Sequence, residues 1–212
     1  MKYILIFTIL YGLLPMLLFL FKRQKLNPEA KFMFPYILLV FIASLYEFFG
    51  TVLLHLNVKY WFVVYEFLAS FALFYFFYTL LKKSSKTLFY LYIFLFVFVT
   101  INAAVIWTGH NFFDISSYFN LLQTFFILTF SVIWIKRMFI SLELESFTSS
   151  STFYFISGLI LYYSGTVFLF LMGNLIFKMD RNSFQDYWLL NIILNLALRT
   201  LLIIGIWKGQ VK

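Results

Sequence analysis

Three charged side chains stand where charge is costly. Glu47 lies in "SLYEFFG" (44–50), Glu66 in "VVYEFLAS" (63–70) and Arg199 in "NLALRTLL" (195–202). Each is embedded in an almost wholly apolar run. A carboxylate in such a place can carry a proton, act as a general acid or base, or bind a cation. An arginine there costs ~2.5–3.5 kcal/mol on insertion scales and needs a partner. Amides accompany the charges: Asn102, Asn120, Gln123, Asn174, Asn191 and Asn195. His55 and His110, with Asp114, are too thin a set for a metal site, and no metal or cofactor is implied. The chain has no cysteine, which removes thiolate nucleophiles and thiolate metal sites. It also lacks a Gly-rich phosphate loop, a zinc-protease helix motif, and any internal repeat beyond the two Tyr-Glu-Phe copies. A retinal-type Schiff base would need a lysine inside the last helix. Lys208 sits at its edge instead.

The elements that hold these residues follow from composition. Of 212 residues, 64% are hydrophobic and 11% charged, with 32 phenylalanines. A soluble domain carries about 25% charged residues and could not bury this much apolar surface. About 20 apolar residues cross a bilayer. Segments near 3–21, 32–56, 61–81, 87–107, 116–135, 153–177 and 187–207 qualify, giving an all-α bundle of seven transmembrane helices in a single domain. Their length excludes a β-barrel. Segment 3–21 is too long for a cleaved signal, and no small-residue cleavage site follows it. Trp61, Trp107, Trp134, Trp188 and Trp207 read as interfacial anchors at segment ends. The Ser/Thr-rich "MFISLELESFTSSST" (138–152) reads as a flexible connection or a short interfacial segment.

Charge sets the orientation. Alternate loops and the C-terminus hold eleven of the sixteen basic residues, while the opposite side holds four and Arg199 is intramembrane. The positive-inside rule puts the N-terminus outside and the C-terminus in the cytoplasm. The net charge of +8 is therefore topological and faces anionic lipid, not nucleic acid. On this topology Glu47 lies ~13 Å below the outer surface, Glu66 ~7 Å and Arg199 ~18 Å. The two Tyr-Glu-Phe copies become opposite arms of one outward-facing hairpin.

Polar residues gather in the outer half of the membrane. This predicts a polar pocket open to the outside, lined by Glu66, Glu47, Arg199, Asn191, Asn195, Asn120, Gln123, Asn102 and Asn174, with His55 at its rim. Around Glu47, Ala43, Ser44, Gly50 and Thr51 form a small-residue packing face. Trp188, Asn191, Asn195 and Arg199 share one face of the last helix, and Ser117, Asn120, Thr124 and Ser131 share one face of the fifth. Gly158, Gly165 and Gly173 mark a close-packing face of the sixth. Depth matches Arg199 with Glu47. Glu66 is then protonated, paired with His55, or exposed to water in the pocket.

The stretches "NVKYWFVVYEFLASFALFYFF" and "WLLNIILNLALRTLLIIGIWKGQ" resemble uncharacterised small multi-helix membrane proteins of Bacteroidota. That resemblance implies a bacterial inner-membrane location and transfers no catalytic residue. Three functions compete. The best supported is a receptor- or sensor-like protein that binds a small ligand or lipid headgroup and signals to a cytoplasmic partner. A small-solute or proton-coupled transporter or channel comes second. Scarce helix-breaking proline, with Pro15, Pro28 and Pro35 all early, speaks against it. A lipid-directed intramembrane enzyme comes third, since no nucleophile–base pair is recognisable.

Overall fold

The computed structural model describes residues 2–56, 58–81, 85–106, 112–140, 149–179 and 181–210. It is 93% helical. Six helical segments are long and apolar enough to cross a membrane, and a shorter apolar one spans Phe34–Gly50. The helices are α1 (Lys2–Tyr11), α2 (Leu14–Lys22), α3 (Pro28–Phe32), α4 (Phe34–Leu45), α5 (Val58–Leu81), α6 (Lys86–Ile106), α7 (Phe112–Ile140), α8 (Ser151–Met179) and α9 (Arg181–Lys208). We call the end of the bundle where α1 begins the N-face, and the end where α9 finishes the C-face.

Two spans are not simple rods. The first is broken between α1 and α2. Pro15 offers no N–H to the carbonyl one turn back, and the chain tightens there, with Gly12 N donating to Thr8 O and Ile9 O at 3.0 and 3.1 Å. The second begins as α3, capped by Asn27 Oδ1, which accepts from Ala30 N at 2.7 Å. It restarts at α4 with Pro35 in its first turn and widens into a π-helical stretch, Tyr46–Leu53. His55, with φ 53°, ends it in the left-handed conformation that glycine usually supplies.

α9 packs along α8, α8 along α7, and α7 along α5. α8 and α9 approach closely at Gly158 and Gly165, and at Gly165 an added Cβ would stand 2.7 Å from Leu194 Cδ1. The sequence expectation of a glycine face therefore holds at α8. α6 is peripheral, with Tyr90, Phe94, Phe98 and Val105 exposed along it. The larger hydrophobic core fills the C-face half with Phe76, Phe77, Phe126, Phe130, Phe155 and Leu159. Trp134 belongs to it at 5% exposure, because α7 continues to Ile140 and carries this indole inside, away from the interface expected for it.

The C-face is tied shut by polar contacts. Asn27 N donates to Gly209 O at 2.8 Å, Thr152 Oγ1 donates to Glu29 Oε2 at 2.7 Å, and Leu26 bridges Gln210. Lys22 Nζ lies 3.4 Å over the Trp207 ring. Of the Ser/Thr-rich connection expected at 138–152, residues 141–148 lie outside the described set.

Candidate functional site

Helix periodicity brings four faces together at one level. On α5, Glu66 and Ser70 are one turn apart, and Ser70 Oγ donates to the Glu66 carbonyl at 3.1 Å. From α7, Gln123 Nε2 donates to that same carbonyl at 2.7 Å and to Ser70 Oγ at 2.8 Å. One turn towards the N-face on α7 is Asn120. Thr124 Oγ1 ties α7 to α8 by reaching the Tyr163 carbonyl at 3.2 Å. On α9 the level is set by Trp188, whose ring meets Phe62 of α5 edge-on at 5.6 Å. Both helices run towards the C-face. Glu66, one turn past Phe62, and Asn191, one turn past Trp188, therefore lie at matching depth.

The cluster is enclosed. Glu66 is 2% exposed, Asn120 0% and Gln123 3%, so the outward-open pocket expected from the sequence is closed here. Many of its polar atoms lack partners among the described residues. They are Glu66 Oε2, Gln123 Oε1, both amide atoms of Asn120, Asn191 Oδ1, and the hydroxyls of Tyr36 and Tyr163. Buried polar groups are nearly always satisfied by protein, water or ligand. No lysine, arginine or histidine acts on Glu66 among the described residues. Three tyrosines lie within electrostatic range of it, Tyr65 from α5 and Tyr162 and Tyr163 from α8, and Tyr36 from α4 lies against these tyrosines.

Arg199 forms a second centre. It is 3% exposed. Nη1 donates to the Thr8 carbonyl, at the C-terminal end of α1. Carbonyls in the last turn of a helix carry partial negative charge, so the Thr8 carbonyl, which also accepts from Gly12 N, serves as an acceptor for the buried cation. Gly12 makes the approach feasible: an added Cβ would lie 2.7 Å from Arg199 Cζ and would collide with Ser44 Oγ. Arg199 Nε keeps no partner among the described residues. The expected ion pair with Glu47 is thus replaced by a backbone carbonyl. Glu47 remains within reach of the arginine's field.

The order of depth also differs from the sequence reading. Tyr46 stacks on Trp61 with centroids 4.5 Å apart, which places Glu47 near the level of Trp61. Glu66 lies five residues further along α5, ~7 Å deeper. The helix of the second span ends at Leu53, short of the Leu56 expected from the sequence. Glu66 is therefore the deeper and more buried of the two, and Glu47 is half-buried.

Asn195 is half-buried on the arc shared by Trp188, Asn191 and Arg199, and that arc faces the bundle as expected. Ser117, Asn120, Thr124 and Ser131 are likewise buried as one stripe. Asn102 is brought into no cluster: it is exposed on α6 and donates to Phe98 O within its own helix at 2.7 Å. His55 is exposed at the N-face and does not act on Glu66. Asn174 is in α8 with its side chain outside the described residues, and His110 and Trp107 also lie outside them. The four tyrosines, Thr8 and Gly12 escaped the sequence reading. The pair "YYSGT" at 162–166 was the available signal: two phenols beside a close-packing glycine.

The fold and the buried polar centre define a helical integral membrane protein. Comparison with family models, curated proteins and solved structures finds no match to this chain.

Proposed function

We propose that the chain is a receptor- or sensor-like membrane protein that binds a small polar ligand in the enclosed cluster around Glu66. One observation carries this reading: a buried carboxylate oxygen without a partner, on a level of the bundle where buried amide atoms also lack partners. Intramembrane ionisable residues are functional by default. We place the N-face outside and the C-face in the cytoplasm of a bacterial inner membrane, following the basic residues at the C-face. Ligand entry then separates helices at the N-face, while the tied C-face passes the movement to a cytoplasmic partner. Hydrogen exchange of the full chain in nanodiscs tests it. A bound solute should slow exchange in 60–70 and 114–124, and Glu66→Gln should abolish the effect. If every solute response survives both Glu66→Gln and Asn120→Leu, the cluster is structural and the reading fails.

A second reading, a proton-coupled transporter, is favoured by the broken first span and the π-helical end of the second. Interrupted helices recur at transport sites, and π-helical turns at functional ones. Uptake into proteoliposomes driven by an imposed pH gradient and lost in Glu66→Gln would establish it over sensing.

A further inference from the structure

The unpartnered atoms around Glu66 are short of donors. Gln123 Oε1, Asn120 Oδ1 and Asn191 Oδ1 can only accept hydrogen bonds, as can Glu66 Oε2 when ionised. Against these four, Asn120 Nδ2 is the single unpartnered atom of the cluster that can only donate, and the Tyr36 and Tyr163 hydroxyls can do either. The donors of Gln123 are already committed to the Glu66 carbonyl and Ser70. Arg199 cannot make up the deficit. Its Nη1 is held at Thr8, and the carboxylate in reach of its field is Glu47. Its charge does not act on Glu66.

Charge gives the same answer. When ionised, Glu66 has no cationic side chain acting on it among the described residues. Tyr65, Tyr162 and Tyr163 lie within electrostatic range of it, and aromatic rings attract cations. The missing component is therefore positive and rich in N–H.

We infer that the Glu66 cluster binds a primary ammonium group, with Glu66 as counter-ion, Gln123, Asn120 and Asn191 oxygens as acceptors, and the tyrosines as walls. This deepens the ligand-binding reading above and rests on it. An ammonium group offers three donors and one positive charge. That answers both deficits, whereas a proton on Glu66 would supply one donor. A quaternary ammonium carries the charge and no N–H, so it should bind less well.

The test is a thermal-unfolding series on the full chain in nanodiscs. The probes are propylammonium chloride, tetramethylammonium chloride, sodium propionate and propionamide, at equal ionic strength, with sodium chloride as the reference. Propylammonium should raise the midpoint saturably, with tetramethylammonium at least tenfold weaker and the other two inert. Glu66→Gln should weaken propylammonium at least tenfold, while Glu66→Asp keeps part of the response. Should Glu66→Gln fail to fold, Glu66→Asp and the wild-type probe order decide the matter. If propionate or propionamide gives the Glu66-dependent shift and propylammonium does not, the ammonium assignment falls and the ligand-binding reading survives. A tetramethylammonium response equal to that of propylammonium also overturns it, because N–H donation then plays no part. If no probe produces a shift that depends on Glu66, both the assignment and the ligand-binding reading are overturned.

Discussion

Arg199 gives its buried charge to the backbone rather than to a carboxylate. The cost of an arginine at that depth was legible in the sequence, and so was its need for an acceptor. The acceptor itself was not, because carbonyl groups have no letter in a sequence. What marks it is a pair of ordinary residues, Gly12 and Pro15, which break the first helix and admit the guanidinium. Replacing Gly12 with alanine should destabilise the protein by about 1–3 kcal/mol, as overpacking of a filled site does. Gly50→Ala is the control, since its Cβ would meet nothing closer than 3.5 Å. Reversible denaturation of both variants checks the difference, and equal losses would show that Arg199 does not depend on Gly12. For the same reason a double-mutant cycle on Glu47→Gln and Arg199→Gln should give a coupling below about 1 kcal/mol, well under the 3–5 kcal/mol typical of breaking a buried direct pair. His55 supplies a further residue-scale expectation. It holds φ 53° where glycine is at ease, so His55→Gly should stabilise the turn by about 1 kcal/mol, read as a raised unfolding midpoint.

At the scale of elements, pattern carried most of the information about faces and little about levels. The buried stripe of α7, the inward arc of α9 and the glycine face of α8 all follow from residue spacing. The relative depths of Glu47 and Glu66 did not, since they depend on where α4 gives way to a wider helix and where α5 begins. Hydrophobicity is continuous across the first of these points. Stacking of Tyr46 on Trp61 fixes the answer, and a ring stack across two helices has no signature in either helix alone. Likewise Asn102 and Asn120 look alike as single amides in apolar runs. One sits on the peripheral α6 and the other on α7, which packs on both sides, and helix placement decides between them. The α8–α9 contact gives a prediction at this scale. Gly165→Ala should cost about 1–3 kcal/mol against Leu194, and Leu194→Ala in the same chain should restore much of it. If the double variant is simply the sum of the two losses, the contact is not the cause.

For the whole molecule, run length was enough to identify a helical membrane bundle. It could not show that the first two spans are not simple rods, because α1 with α2, and α4 with its π-helical end, read as nearly unbroken apolar stretches. Orientation is open to direct measurement, since the chain is free of cysteine. With the N-face outside, His55→Cys should react with a membrane-impermeant maleimide on intact cells, and Lys25→Cys only after permeabilisation; the reverse pattern would invert the bundle. The ties between the start and finish of the chain bear on how it is made. Thr8 meets Arg199, Lys22 covers Trp207 and Asn27 binds Gly209, so an early span is locked by one made much later. Until α9 inserts, the nascent first helix waits in the bilayer without its buried cation. The first span is therefore fully packed only once α9 is in place. A chain stalled just short of Arg199 should already present the spans before α9, and be cleared by membrane quality control all the same.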